Sequence, residues 1–308
     1  MQLRSKTKKQ LVLHSMMLPG TILLIVFNVF PMIGIWMAFS KYQPKYGMGY
    51  FEALFSADYV GFAFFRQIFS RPDFRQVLFN TIYISVVKLV LLIGLGILLS
   101  LLLNEIPFLR LKKGIQVIVF IPYFLSWVIL SSIMIDLLSL DGPINRMIEA
   151  LGGEPISFLG SNTWFPVVLF VSELWKSLGY QAIYFLAAIT AVSPGLYEAA
   201  EIDGANRVQQ CFHVTLPCIR PIIILMMVLN IGNIMNAGFE QVLALYNSLV
   251  YESGDIIDTM SYRIGLLNAS TFQYSLGTAV GLFKSVICCV LFGASYLFAA
   301  KKLDYEVL

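Results

Sequence analysis

The sequence predicts an all-α membrane protein, a bundle of six transmembrane helices, and three observations carry that expectation. Of its 308 residues, 58% are apolar and only 13% charged, with a mean hydropathy of +0.78. A soluble domain of ordinary composition is nearer to about 45–50% apolar and about 25% charged, so an excess of this size means lipid contact rather than a larger core. The apolar residues gather in six segments, each long enough for the roughly 20 helical residues that cross ~30 Å of hydrocarbon. Between two of these segments lies a polar stretch, YEAAEIDGANRVQQCFHVTLPCIRP, from Tyr197 to Pro221.

The spans are expected at about 11–38, 80–103, 115–137, 164–191, 221–245 and 276–300, within one domain covering 1–308. The first follows the basic run Arg4-Ser5-Lys6-Thr7-Lys8-Lys9. Its apolar stretch exceeds the roughly 7–15 residues of a signal-peptide core and no small-x-small cleavage site follows, so it reads as a retained signal anchor. Lysine and arginine placement sets the orientation. With the N-terminus inside, 11 of the 21 basic residues are cytoplasmic: Arg4, Lys6, Lys8, Lys9, Arg110, Lys112, Lys113, Arg207, Arg220, Lys301 and Lys302. Lys41, Lys45, Arg66, Arg71, Arg75, Arg146 and Arg263 fall outside, and Lys88, Lys176 and Lys284 lie within spans. Both termini and the polar stretch are then cytoplasmic.

Three outer connections follow, at 39–79, 138–163 and 246–275. The first contains YVGFAFFRQIFSRPDFRQ, which reads as a short amphipathic helix at the outer surface, and the second carries the turn signals Asp141-Gly142-Pro143 and Gly152-Gly153. Gly277 and Gly281 form a G-x-x-x-G in the last segment, a pattern that permits close helix contact, and Gly94-x-Gly96 lies in the second. The four cysteines (Cys211, Cys218, Cys288, Cys289) lack metal-ligand spacing, so no zinc site or disulfide framework is implied. A net charge of +3, with basic residues at helix ends, argues against nucleic-acid binding.

The polar stretch has its own grammar. Ser193-Pro194 is a helix start, with serine as N-cap and proline at the first helical position. Glu198 and Glu201 occupy the early turns, where the positive end of the helix favours them. Asp203-Gly204 stops the helix, glycine being free to take the left-handed conformation. A second helix is expected over 205–216, ended by Pro217. Val208, Cys211, Phe212, Val214 and Leu216 are too few to bury a core of their own. An exposed hairpin with an apolar stripe suits docking to a groove on another protein; packing against its own bundle is the alternative.

This segment resembles the cytoplasmic coupling loop of the permease subunits of ATP-binding-cassette importers. That family's pattern is E-A-A, two residues, D-G-A, a spaced F, then L-P and a further P. It is matched by Glu198-Ala199-Ala200, Asp203-Gly204-Ala205, Phe212, Leu216-Pro217 and Pro221. LPGTILLIVFNVFPMIGIWMAFS, YVGFAFFRQIFSRPDFRQVLFNTIYIS and DTMSYRIGL (Asp258 to Leu266) look like the carbohydrate-type branch, nearest to permeases for sugar oligomers released from polysaccharides.

The resemblance implies the type I importer fold in a bacterial cell membrane, with 193–221 as the coupling loop. It implies a second permease subunit, commonly a different chain, two ATP-binding-cassette ATPase subunits and an extracytoplasmic solute-binding protein. ATP and magnesium would be bound by the ATPase subunits. This chain agrees, since it contains no Gly-Lys dipeptide and hence no G-x-x-x-x-G-K-[ST] phosphate loop. Glu198 and Asp203 would be the polar contacts, Gly204 would set the hairpin angle, and Leu216 and Pro217 would position the second helix.

Polar residues inside spans are costly and face a cavity or a neighbouring helix. They are Lys88, Glu173, Trp175, Lys176, Tyr180, Gln181, Asn230, Asn233, Asn236, Glu240, Gln241 and Lys284. The spacing predicts Asn233, Asn236 and Glu240 on one face of the fifth span. With Trp175 and Tyr180 they are the candidate substrate path, amides and carboxylates suiting sugar hydroxyls and rings suiting sugar faces. Glu173 and Lys176 could instead neutralise one another, and Trp127 and Trp164 read as interfacial anchors. A secondary transporter would show more spans and inverted repeats, and a channel a filter or charge ring. Polyamine, amino-acid or phosphate-ester cargo stays open.

Overall fold

The structure is a computed structural model that describes residues 2–44, 46–267 and 273–302. Lys45, the part of the third outer connection at 268–272 and the C-terminal 303–308 lie outside the described residues. Among the described residues there is no strand beyond one isolated bridge, Ser40 to Tyr59. Five helical stretches among the described residues are long and apolar enough to cross a membrane: Leu13–Phe39, Phe74–Asn104, Trp127–Ala150, Arg207–Gly232 and Gln273–Lys301. A sixth arises when Trp164–Thr190 is counted with Pro194–Ile202, to which it is bent by 69°.

The chain divides into two compact units, Met1–Ser70 with Ser261–Leu282 and Arg71–Met260 with Phe283–Leu308. In the first, the α-helix Gln2–Leu24 continues through a π turn, Ile25–Val29, into a 3-10 stretch, Phe30–Phe39. The π turn precedes Pro31, which has no N–H to give; the widened turn lets the helix continue past it. The expected surface helix divides at Ser70, with Ala63–Phe69 a helix of its own and Phe74 already opening the second span. A small core of Tyr42, Ala53 and Leu54 is packed by Met37, Met48 and Tyr274. The Ser275 hydroxyl pins it, donating to Ser40 O at 2.6 Å and accepting from Tyr42 N at 3.0 Å. The G-x-x-x-G glycine Gly277 faces the chain's own Gly265, where an added Cβ would come within 2.8 Å of the Gly265 Cα, while Gly281 has open space.

In the second unit, Phe74–Asn104 packs along Trp164–Thr190, and Gly96 gives the room: a Cβ there would meet Gln181 Cγ at 2.9 Å. Ile84, Phe165, Leu169, Val242, Val250 and Ile256 form the apolar core. The loops are tied by amides. Asn145 is fully buried and makes two bonds with Ile156, while Asn162 accepts from both Ser253 N and its hydroxyl.

Two expected spans are broken. The third is two helices, Leu109–Phe120 and Trp127–Leu138, separated by a 3-10 turn at Ile121–Phe124. Buried Pro122, in that turn, has no N–H and its ring would clash with the carbonyl four residues back in a continuing helix. The fifth runs Leu216–Gly232, then a 3-10 turn Ile234–Asn236, a left-handed pair Ala237 (φ 45°) and Gly238 (φ 82°), and a last helix Phe239–Leu245. Asn233, Asn236 and Glu240 therefore do not share one helix face.

Lys284 of the last span is held by both carboxylate oxygens of Asp258, at 2.6 and 2.8 Å, with both side chains largely shielded. Removing one member of such a pair strands the other charge. Asp258→Asn is expected to cost about 3 kcal/mol or more and to lower the thermal inactivation midpoint of the detergent-solubilised protein. An unchanged midpoint would show that the pair contributes nothing.

Candidate functional site

The hairpin is built by local rules. Ser193, extended at ψ 127°, precedes Pro194, which opens the helix Pro194–Ile202. The helix ends in a Schellman motif: Ala205 N donates to Ala200 O at 2.9 Å and Gly204 N to Glu201 O at 3.0 Å, with Gly204 at φ +79°. The second alanine of E-A-A and the D-G-A run are thus the two sides of one turn. Asn206 then caps the next helix through a reciprocal capping box with Gln209, both bonds being 2.8–2.9 Å. The N-x-x-Q spacing that signals this box was present in the sequence and unused.

The second arm differs from expectation. Instead of ending at Pro217, the chain is helical from Arg207 through Gly232. A π turn at Cys211–Thr215 makes this possible, because Leu216 N bonds back five residues to Cys211 O and the widened turn admits the Pro217 ring. The hairpin is therefore an extension of the fifth span, and Tyr197 OH bonded to Thr215 Oγ1 at 3.0 Å ties its two arms.

Ala200, Asp203, Gly204 and Ala205 line a shallow cleft with Gln209 and His213. Glu198 and Ala199 are exposed on the first arm, and Ile202 presents 87% of its surface at the tip. Phe212 and Val208 line a separate apolar cavity of roughly 500 Å³ against Leu98, Leu101 and Leu102. Leu216 is half-buried and Pro217 exposed. Arg207 meets Glu201 at 3.5 Å, but both are well exposed and such a pair contributes little.

Asn233 and Asn236 lie at the break of the fifth span, linked at 3.2 Å and exposed. Glu240, also exposed, begins the next helix. Tyr180 stacks flat on Tyr123, centroids 4.0 Å apart at 2°, and its hydroxyl meets that of Tyr184. Trp175 is 44% exposed on the same helix. Glu173 and Lys176 do not neutralise one another. Glu173 faces Lys88 at 3.8 Å and accepts from Ser177, whereas Lys176 bonds Tyr123 O and Leu125 O. Trp127 opens the helix after the break of the third span, with the Lys176 ammonium 5.5 Å from its ring.

A family described as binding-protein-dependent transport system inner membrane component matches residues 92–304. The chain belongs to that family. It is 40% identical over 298 residues to Protein LplB of Bacillus subtilis (strain 168), covering 96% of this chain and 90% of the relative. It is also 40% identical over 287 residues to the polygalacturonan/rhamnogalacturonan transport system permease protein YteP of the same organism, covering 93% and 87%. A solved structure of a bacterial alginate ABC transporter in complex with an alginate pentasaccharide-bound periplasmic protein superposes at a TM-score of 0.87. Identity there is 33%, over 99% of both chains. The fold described above is thus that of a binding-protein-dependent permease.

Proposed function

We propose that this chain is the membrane-spanning subunit of an ATP-binding-cassette importer for sugar oligomers. The observation that carries the reading is the exposed Schellman turn formed by Ala200, Asp203, Gly204 and Ala205, with Ile202 at its tip. A turn rigid in backbone and bare in surface is what a cleft on another protein can grip. Glu198, Ala199, Phe212, Leu216 and Pro217 complete the coupling element, in which Leu216 and Pro217 position the second helix. Two ATPase subunits, which bind the ATP and magnesium, would close on paired hairpins and rock the bundle between inward- and outward-facing states. A second permease chain supplies the other hairpin. Both termini are cytoplasmic in a bacterial cell membrane, and an extracytoplasmic binding protein delivers cargo to the opposite face.

Oligosaccharide cargo is supported by the names of the relatives and by the interior: the Tyr123–Tyr180 stack and Trp175 offer ring faces, while Asn233, Asn236 and Glu240 offer hydroxyl partners. The test is ATP-dependent uptake into proteoliposomes holding both permeases, the ATPase and the binding protein. Tyr180→Ala is expected to lower the maximal rate by about tenfold, the loss of a stacking partner in a desolvated site. Uptake driven by an ion gradient without ATP, or an unaltered rate in the Tyr180 variant, would contradict the importer reading and the path assignment respectively.

A further inference from the structure

Of the three lysines within spans, Lys284 pairs with Asp258, while the ammonium groups of Lys88 and Lys176 each end on the backbone of a broken span. Lys176 of the helix Trp164–Thr190 donates to Tyr123 O at 3.0 Å and to Leu125 O, both at the break of the third span. Lys88 of the helix Phe74–Asn104 donates to Ala237 O at 2.8 Å and to Gln241 Oε1, at the break of the fifth. A broken helix leaves carbonyls without intrahelical partners, and in hydrocarbon no water can satisfy them. An ammonium is suited to that end of a helix both as a donor and as a positive charge.

The fifth-span break is strained. Ala237 is the one non-glycine residue with positive φ among the described residues, and such a conformation persists only where its surroundings over-determine it. Lys88 is that surrounding: a Cβ on the neighbouring Gly238 would lie 2.5 Å from its Nζ.

Both caps converge on the fourth span. Lys176 belongs to it. Lys88 faces Glu173 on it, and Gln241 bonds Ser172 Oγ at 2.7 Å and Leu169 O at 2.8 Å. The fourth span in turn leads, through the 69° bend, into the first arm of the hairpin.

We propose that Lys88 and Lys176 are positioning residues for transport: they fasten the breaks of the third and fifth spans to the fourth, so that hairpin movement reaches both breaks together. This rests on the coupling reading above. An apolar helix with intact carbonyl bonding would need neither lysine, and a buried and a half-buried cation are a costly way merely to fill space.

The experiment uses the whole complex in proteoliposomes with Lys88→Met and Lys176→Met, each close in length to lysine but without its charge. ATPase subunits are expected to co-purify as with the native chain, and unstimulated hydrolysis to stay unchanged. Stimulation by loaded binding protein is expected to fall about tenfold or more, as a lower maximal rate with an unaltered KM for the loaded binding protein. Because Lys88→Met strands the Glu173 carboxylate and can fail to assemble, Lys88→Met combined with Glu173→Gln and Ala237→Gly is made alongside it. The glycine relieves the strain without restoring the link, so assembly should return while stimulation stays low. Full stimulation in either single variant, recovery of stimulation in the combined variant, or failure of all three to assemble would make the lysines structural props and overturn the proposal. Absence of ATPase association with the native chain would instead overturn the coupling reading, before any variant is compared.

Discussion

Replacing Gly204 by proline is expected to detach the ATPase subunit while leaving the chain inserted in the membrane. Gly204 sits at φ +79° and donates its N–H to Glu201 O at 3.0 Å. Proline fixes φ near −65° and has no N–H, so the Schellman turn cannot form, a loss of about 3 kcal/mol or more. At about 1.36 kcal/mol per tenfold, transport should fall by about 100-fold. The effect should stay local, because a side chain at 204 meets nothing within 4 Å and the hairpin residues Glu198, Ile202 and Asp203 around it are exposed. Gly204→Ala separates strain from the lost bond. It keeps the donor, adds no clash, and should cost only the left-handed penalty of ~1–2 kcal/mol. Equal defects in the two variants would mean that the turn geometry is not what the partner reads. Membrane insertion, co-purification and ATP-dependent uptake are the three readouts.

Gly179→Ala is expected to force the third and fourth spans apart. A Cβ at 179 would lie 2.2 Å from Val119 O, 2.6 Å from its carbonyl carbon and 2.9 Å from Phe120 N, all backbone atoms that cannot rotate aside. The fourth span would have to move off the third just where Tyr180 stacks on Tyr123 and Lys176 reaches the break. Overpacking of this kind costs about 1–3 kcal/mol, visible as a lower thermal inactivation midpoint together with reduced uptake. Gly94→Ala is the control. Nothing lies within 4 Å of it, and exchanging glycine for alanine in a helix interior is favourable by roughly 1 kcal/mol. A Gly179 variant as stable as the Gly94 variant would contradict the close approach.

What the sequence made legible, and what it did not, follows from the range over which each signal acts. Helical content comes from composition and apolar length and survives in the structure, where the described residues hold five spanning stretches, or six with the bent pair. The hairpin's first arm and turn were legible because Pro194, Asp203 and Gly204 act within a few residues of one another. The path of its second arm was not. Pro217 reads as a stop, and only a π turn four residues upstream, from which Leu216 bonds back to Cys211 O, lets the helix continue. The breaks of the third and fifth spans had local signs, Pro122 in one and Gly232-Asn233 with Gly238 in the other. Hydropathy summed over a span passes over them. What stabilises those breaks comes from far along the chain, from Lys176 and from Lys88, and no local pattern announces it. The same distance hides the cation of Glu173, which is Lys88 of the second span and not its sequence neighbour Lys176.

The coupling role of the hairpin is tested most directly by replacing Ile202 with a photo-crosslinking phenylalanine analogue and irradiating the assembled complex. Ile202 is 87% exposed at the tip of the turn and forms no part of the bundle packing. The expected product is a covalent adduct with the ATP-binding subunit, formed with the native turn and lost with Gly204→Pro. Adducts confined to lipid or to this chain's own helices would contradict the coupling role and leave the hairpin a packing element of its own bundle.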